Sequence, residues 1–253
     1  MPKLASWNVN SLRVRLDQVL QWLDEAQVDV LALQETKMTD EDFPADAFLD
    51  RGFHVAFSGQ KTYNGVALVS RQPMHDIVTE RAGWPDPERR LIMARINDVQ
   101  IINVYVPNGF AVDSGKYLYK LAWLDHMRPF IKSLVDQGPL AVVGDFNIAP
   151  EDDDVHDPLA WKNSVLVSPA ERAAFSQLLR DGLIDSFRQH HPDERAFSWW
   201  DYRGASFRRD HGVRIDHILI NSALAQRCTA SGIDSNPRRH ERPSDHAPVW
   251  ITY

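Results

Sequence analysis

The sequence predicts an α/β protein, and three observations carry that prediction. Short apolar runs of strand length alternate with longer stretches whose apolar residues recur at helical spacing, in both halves of the chain. No linker, low-complexity tract or short repeat breaks the alternation, so residues 1–253 read as one domain. Five polar clusters punctuate the apolar runs: Ser6-Trp7-Asn8-Val9-Asn10, Leu33-Gln34-Glu35-Thr36-Lys37, Gly144-Asp145-Phe146-Asn147, Arg214-Ile215-Asp216-His217 and Ser244-Asp245-His246-Ala247-Pro248. Each offers carboxylate, amide or imidazole groups where a strand would end, and α/β sheets build their sites along such an edge.

The elements follow in order. Residues 3–8 read as a buried strand. Leu12–Glu25 has helical spacing, with Leu16, Val19, Leu20, Leu23 and Ala26 on one stripe and Asn10 or Ser11 as N-cap. Val28–Leu33 is a short apolar run bounded by polar residues, hence a buried strand. Phe53–Ser58 and Val66–Ser70 are expected strands, joined by a segment in which Asn64-Gly65 signals a turn. Leu91–Ile96 and Gln100–Val106 read as a hairpin around Asn97-Asp98. Tyr117–Val135 is a long amphipathic helix, with Leu121, Leu124, Met127, Ile131 and Leu134 as its stripe. Leu140–Val143 is a strand ending at Gly144-Asp145. A loop rich in acid and proline follows at 149–158; its acidic run reads as a solvated turn and lacks the glycine and ligand order of an EF-hand. Pro169–Arg180 is a helix capped by Ser168 with Glu171 in its first turn. Ile215–Ile220, Thr229–Ile233 and Val249–Thr252 are further strands.

A hydrophobic content of 43% in 253 residues is enough for one large core. The net charge of −7 means that any nucleic-acid surface must be a local basic face. The single cysteine, Cys228, excludes an intrachain disulfide and reads as a buried apolar thiol. No run approaches the roughly 18 apolar residues of a membrane span, and the N-terminus lacks the apolar stretch of a signal peptide. The cytosol is the expected compartment and a monomer the expected state.

The polar clusters supply several hard oxygen ligands and two histidines, the inventory for divalent-metal phosphoester hydrolysis. Glu35 directly follows a buried strand and suits Mg²⁺ or Mn²⁺. Asp216 lies early in an apolar strand, where an acid is costly unless paired. Asp145 and Asn147 flank an aromatic after glycine, and Asp245 and His246 precede Pro248. Taken singly, each has a bland alternative as a surface acid, a helix cap or a plain turn. Their succession at strand ends makes the chemical case.

These motifs, with Asn103-Val104-Tyr105-Val106-Pro107-Asn108-Gly109 and Phe197-Ser198-Trp199-Trp200-Asp201-Tyr202-Arg203, make the chain resemble the exonuclease III family of DNA-repair nucleases, which includes apurinic/apyrimidinic endonucleases. The resemblance spans residues 3–252 in family order. It implies a four-layer sandwich, two mixed sheets face to face with helices outside, as in DNase I-like proteins of the endonuclease/exonuclease/phosphatase fold. It also implies roles. Glu35 would be the main metal carboxylate with Asn8 beside it, and Asp145 would orient or deprotonate the attacking water. Asn147 would hold that water or a phosphate oxygen, and His246 would contact the phosphate with Asp216 fixing its ring. Asp245 would support the metal, and Tyr105 and Asn108 would position the phosphate. Trp199, Val213 and Ile215 would surround a base-free sugar, with Val213 standing where many relatives carry a larger aromatic. The implied substrate is damaged double-stranded DNA.

Independently, Arg203, Arg208, Arg209 and Arg214 crowd one segment with Trp199, Trp200, Tyr202 and Phe207, while Arg238, Arg239 and Arg242 form a second patch. Cations interleaved with aromatics suit phosphate tracking and base stacking. Lys61, Tyr63, Asn64, Gly65, Arg89 and Arg90 are further candidates for backbone contacts, and His156 could reach the DNA groove. Two alternatives stay open at this point: another metal phosphoesterase acting on RNA or a phospholipid, and a DNA-binding protein that has lost catalysis.

Overall fold

A computed structural model describes residues 1–80, 84 and 86–253. Its strands are β1 (Lys3–Asn8), β2 (Val30–Gln34), β3 (His54–Ser58), β4 (Val66–Ser70), β5 (Met74–Val78), β6 (Leu91–Ile96), β7 (Val99–Tyr105), β8 (Leu140–Asp145), β9 (Leu183–Asp185), β10 (Asp216–Asn221), β11 (Ala230–Ile233) and β12 (Val249–Thr252). They form two six-stranded sheets, ordered β11-β12-β1-β2-β4-β3 and β5-β6-β7-β8-β10-β9. Each sheet has one central parallel pair, β1/β2 and β7/β8, flanked by antiparallel neighbours. The helices that matter below are α1 (Leu12–Glu25), α2 (Ala45–Leu49), α3 (Gly115–Leu134), α4 (Pro158–Trp161) and α5 (Pro169–Arg180).

The period-two alternation of strand side chains builds four layers. Leu4, Val30, Ala32, Ile101, Ala141, Val143, Ile218 and Ile220 point between the sheets and make one core. Their neighbours Ala5, Trp7, Leu31 and Leu33 face outward and are covered by Val19, Trp22 and Leu23 of α1 and Phe48 of α2. On the other outer face Ile102, Val104, Leu140 and Val142 lie under Trp123, Leu124, Met127 and Ile131 of α3 and Phe175 and Leu178 of α5. The expected sandwich of two mixed sheets flanked by helices is thus observed.

Some expected elements differ at their edges, and others were not foreseen. Ser11 occupies the N-cap position of α1 but makes no side-chain cap, whereas Ser168 and Glu171 cap α5 reciprocally. The edge strands β5 and β9 and the short helix α2 lie in segments too polar or too brief to show a period. No helix among the described residues is long and apolar enough to cross a membrane.

The topology decides where chemistry can occur. The parallel strands β1, β2, β7 and β8 end at Asn8, Gln34, Tyr105 and Asp145. β10 runs antiparallel to β8, with Asp216 opposite Asp145, and β12 runs antiparallel to β1, with Val249 opposite Ser6. Two of the five polar clusters therefore precede or begin strands rather than ending them, and antiparallel pairing brings them to the same edge.

Candidate metal and phosphate site

Along the inter-sheet face, each of these strands changes from apolar to polar as it nears that edge. β1 reads Leu4, Ser6, Asn8; β2 reads Val30, Ala32, Gln34; β7 reads Ile101, Asn103, Tyr105; β8 reads Ala141, Val143, Asp145. The first polar level is a buried amide layer. Gln34 Nε2 donates to Ser6 Oγ at 2.9 Å and to Asn103 Oδ1 at 2.7 Å, and Asn103 Nδ2 reaches Leu33 O and Ala67 O in the opposite sheet, both at 2.9 Å. This layer locks the two sheets together directly beneath the edge.

Above it stand the ionisable groups. Asn8 Nδ2 donates to Glu35 Oε1 at 2.8 Å and to Asp145 Oδ2 at 2.9 Å, so one amide holds two carboxylates together. Asn147 returns to Asp145 through its backbone N–H at 2.8 Å, and Asn108 Nδ2 donates to Asn147 Oδ1 at 2.9 Å. His246 Nδ1 lies 2.9 Å from Asp216 Oδ2, and its Nε2 faces Asp145 Oδ2 at 3.8 Å. Ser198 Oγ accepts the N–H groups of Ile215 and Asp216, which fixes the start of β10. Glu35 and Asn147 both adopt left-handed backbone, with φ of 53° and 51°. Asn tolerates that conformation; for Glu it is strain held by the surrounding structure. Gly144 can precede Asp145 because a Cβ there would meet Val104 O at 1.9 Å.

Electrostatics follow from this crowding. Burial pushes Asp145 up to about 7; His246 opposes the rise, while Asp216 and Glu35 add to it. Burial alone would lower the His246 imidazole, but the Asp216 and Asp145 carboxylates outweigh it and raise the group to about 10. Burial, then Glu35 and Asp145, hold the Tyr105 phenol well above its ordinary value, so it remains a donor. Arg90 stacks over the Tyr105 ring, 4.7 Å from its centroid.

Glu35, Asp145 and His246 each bring one ligand atom within 4.8 Å of the others. The fit to a divalent cation is chemical as well as geometric. Two carboxylates are held side by side in a largely buried place, and burial, with the added charge of Asp216 and Glu35, moves Asp145 toward neutrality, which a cation would reverse. Asp245 lies outside this triad: its oxygens accept from Asn10 Nδ2 at 2.9 Å and Trp199 Nε1 at 3.0 Å. It ties Asn10, in the loop after β1, to Trp199.

Several expected DNA contacts are placed differently. Arg214 is fully buried, with Nε 2.7 Å from Asp154 Oδ1 and an Nη1 2.8 Å from Asp185 Oδ2; it is a core ion pair and not a phosphate contact. Its partner Asp154 is correspondingly inside, so the acidic run 151–157 is not wholly a solvated turn. Arg238 is also buried, stacked over Phe207 with its guanidinium on Ser244 O. Val213 and Ile215 are buried in a small apolar cluster with Val155, Leu166 and Val167, where they back the half-buried Trp199 rather than line an open cavity. Asn64 and Gly65 face inward. Asn64 bonds Gln60 and Glu88, and Gly65 exchanges backbone bonds with Thr36 and Arg89, at a φ of 87° where a Cβ would strike Thr36 Oγ1. Lys61 and Tyr63, earlier in that segment, are exposed. Arg203, Arg208, Arg209, Arg239 and Arg242 are at the surface, although Arg203 is paired with Asp201 at 2.7 Å. His156 is half-buried and stacks on His211, with ring centroids 4.8 Å apart.

Two lysines join the site that motif reading did not single out. Lys37 Nζ lies 2.8 Å from Glu35 Oε2 and 2.5 Å from Asn10 Oδ1. Its place two residues after Glu35 was visible, but its direction was not, because Lys37 sits in left-handed backbone with φ of 55°. Lys120, from the second turn of α3, is buried beneath Asn147 and had no sequence signal beyond its position on an amphipathic helix.

Comparison with known proteins agrees with this geometry. Residues 5–246 match the Endonuclease/Exonuclease/phosphatase family. Exodeoxyribonuclease III of Haemophilus influenzae is 37% identical, covering 99% of both chains, and an exodeoxyribonuclease of Bacillus subtilis is 33% identical, covering 98% of both. Among solved structures, the 3′ phosphatase NExo from Neisseria bound to product DNA hairpin superimposes with a TM-score of 0.98 at 45% identity, covering 100% of this chain and 99% of that one. An AP endonuclease from Archaeoglobus fulgidus gives a TM-score of 0.97 at 42% identity, with the same coverage.

Proposed function

Because the chain belongs to the endonuclease/exonuclease/phosphatase family, we propose that the edge site hydrolyses phosphodiester bonds of damaged duplex DNA, on the 5′ side of abasic sites and at blocked 3′ ends, with Mg²⁺ or Mn²⁺. The protein is a phosphodiester-hydrolysing nuclease of exonuclease III type. The observation that carries the finer reading is the meeting of Glu35, Asp145 and His246 at one place, with Asp216 behind the imidazole and Trp199 beside it.

Glu35 would hold the metal, with Asn8 aligning its carboxylate and Asp145 beside it. The bound cation supplies Lewis-acid stabilisation of phosphoryl oxygens. Asp145 accepts hydrogen bonds from Asn8 and the Asn147 backbone, which aims its carboxylate to take a proton from water. His246, kept protonated by Asp216, directs Nε2–H at phosphate charge. Tyr105 and Asn108 donate to the phosphate from the other side. Trp199, oriented by Asp245, offers a ring edge and face to the sugar. The enzyme would act as a single-domain monomer. His156, beside Trp161 and tied by its backbone N–H to Gly212 O, would limit how a continuous strand passes.

The test is one assay on three duplexes with Mg²⁺: an internal abasic site, a 3′-phosphate at a nick, and an undamaged recessed end. Turnover that chelator and Glu35→Ala abolish is expected, with His156→Gly shifting the ratio of internal incision to 3′-end cleaning. Binding of abasic DNA without cleavage, or faster turnover of a phosphoinositide, overturns the proposal. An unchanged ratio removes His156 from it.

A further inference from the structure

Beneath Asn147 lies an ion pair that the chemistry above does not use. Lys120 and Glu171 are both completely buried and bonded to each other. The remaining contacts of Lys120 are not structural filler. Its Nζ donates to Asn147 O at 2.6 Å and to Asn108 O at 3.2 Å. These are the backbone carbonyls of two residues whose side chains already bond one another, Asn108 Nδ2 to Asn147 Oδ1. Glu171 Oε1 also accepts from Leu166 N at 3.1 Å, and its Oε2 accepts from Ser168 N and Ser168 Oγ at 3.1 and 2.6 Å. One ammonium therefore ties the loop after β7, the loop after β8 and the first turn of α5 into a rigid unit.

We propose that Lys120 is a positioning residue that sets the orientation of Asn147 and Asn108 toward the phosphate through their main-chain carbonyls, with Glu171 serving as its buried counter-charge. The inference rests on the reading of Asn147 and Asn108 as phosphate-site residues. Burying an ammonium is costly, and hydrophobic residues of similar volume usually replace such pairs without loss of stability. A lysine here supplies what they cannot: a donor that reaches two carbonyls at once. Asn147 is held in left-handed backbone by a short loop, so a small rotation of its carbonyl turns its side chain away from Asp145. Displacements of about 1 Å at a reacting centre cost on the order of 10²-fold in rate.

The experiment is a double-substitution cycle on the whole protein, read as kcat and KM on abasic duplex. Lys120→Met is expected to lower kcat by about 10- to 100-fold with KM changed less than about threefold. Glu171→Gln keeps an oxygen for Lys120 and is expected to lower kcat less than about threefold. In an Asn147→Ala background, the effect of Lys120→Met on kcat should shrink to the smaller part carried by Asn108, because the shorter of its two carbonyl contacts acts through Asn147. Full additivity of the two changes, or a fall in KM-related terms alone, overturns the proposal. If Lys120→Met does not fold, Lys120→Met combined with Glu171→Leu, which removes both buried charges and the donor, replaces it under the same criteria. If Asn147→Ala itself leaves turnover intact, the assignment of the phosphate site fails instead, which separates the two claims.

Discussion

His246 and Asp216 show how much a single contact sets. Asp216 Oδ2 holds Nδ1 at 2.9 Å, so the ring can present only Nε2 to the site, and the carboxylate keeps the imidazole protonated through neutral pH. Asp216→Asn keeps the shape and removes the charge. It should lower kcat on abasic duplex on the order of 10²- to 10³-fold, with the melting midpoint nearly unchanged. The sign of the pH effect follows. The raised value belongs to the folded state, so removing its main cause lets His246 lose its proton sooner, and the alkaline fall in activity should move to lower pH. An unmoved alkaline limb in a pH–rate profile would show that His246 is not the group lost there. At this scale the sequence was legible wherever a residue type was unusual for its place. Asp216 in an apolar strand demanded a partner, and Glu35 after a buried strand demanded a reason. Arg214 was misread because its partners, Asp154 and Asp185, lie 60 and 29 positions away. An arginine beside aromatics looks the same in sequence whether it faces DNA or a buried acid.

Among the elements, the strands with a complete apolar run were legible to within a residue or two, and β4, β6, α5 and β12 have the expected bounds. Edge strands β5 and β9 were not, since one is largely exposed and the other has three residues. Sheet order is also not written in local pattern, and sheet order is what places Asp145 opposite Asp216. Two element contacts make testable claims about stability. Asn103 bonds carbonyls of the opposite sheet, so Asn103→Ala should strand buried acceptors and cost about 2–4 kcal/mol, read from urea unfolding. Arg214 clamps the turn carrying Asp154 to Asp185 at the end of β9, and Arg214→Met should cost about 3–5 kcal/mol at pH 7. Burial alone would raise both acids, but Arg214 outweighs it and holds each below the usual carboxylate range. A depressed folded-state value contributes stability above the unfolded value near 3.9 and loses it as pH falls toward the folded one. The variant's acids lose that guanidinium, Asp154 keeping only Arg188 and Asp185 only His217, so its deficit against the parent should shrink below about pH 4. A deficit that stays constant between pH 7 and pH 3.5 would show that packing, and not charge, supplies the penalty.

At the scale of the whole molecule, an acidic protein has to hold an acidic polymer. The sum of 28 basic and 35 acidic residues gives −7, yet exposed Arg208, Arg209, Arg239 and Arg242 lie in the segments that supply Trp199 and Asp245. Attraction is then local, and its range is set by a Debye length of about 8 Å at physiological salt. Acidic surface farther off is screened, so net charge does not forbid binding, and because salt weakens its repulsion of DNA it makes the dependence on ionic strength shallower. Each arginine that neutralises one phosphate contributes about 0.9 to the slope of log K against log salt. Arg208→Ala with Arg209→Ala should therefore weaken binding of abasic duplex and flatten that slope by about 2 if both meet phosphates. Arg203→Ala should flatten it by less, because Asp201 already takes up that guanidinium at 2.7 Å and the pair would have to open. Fluorescence anisotropy of a labelled abasic duplex between low and physiological salt, with Ca²⁺ in place of Mg²⁺ to prevent turnover, reads both slopes. If the Arg208 and Arg209 change leaves the slope as it was, the arginine-rich segment is a solvated face, and DNA is held by the rim around Tyr63 and Asn108 instead.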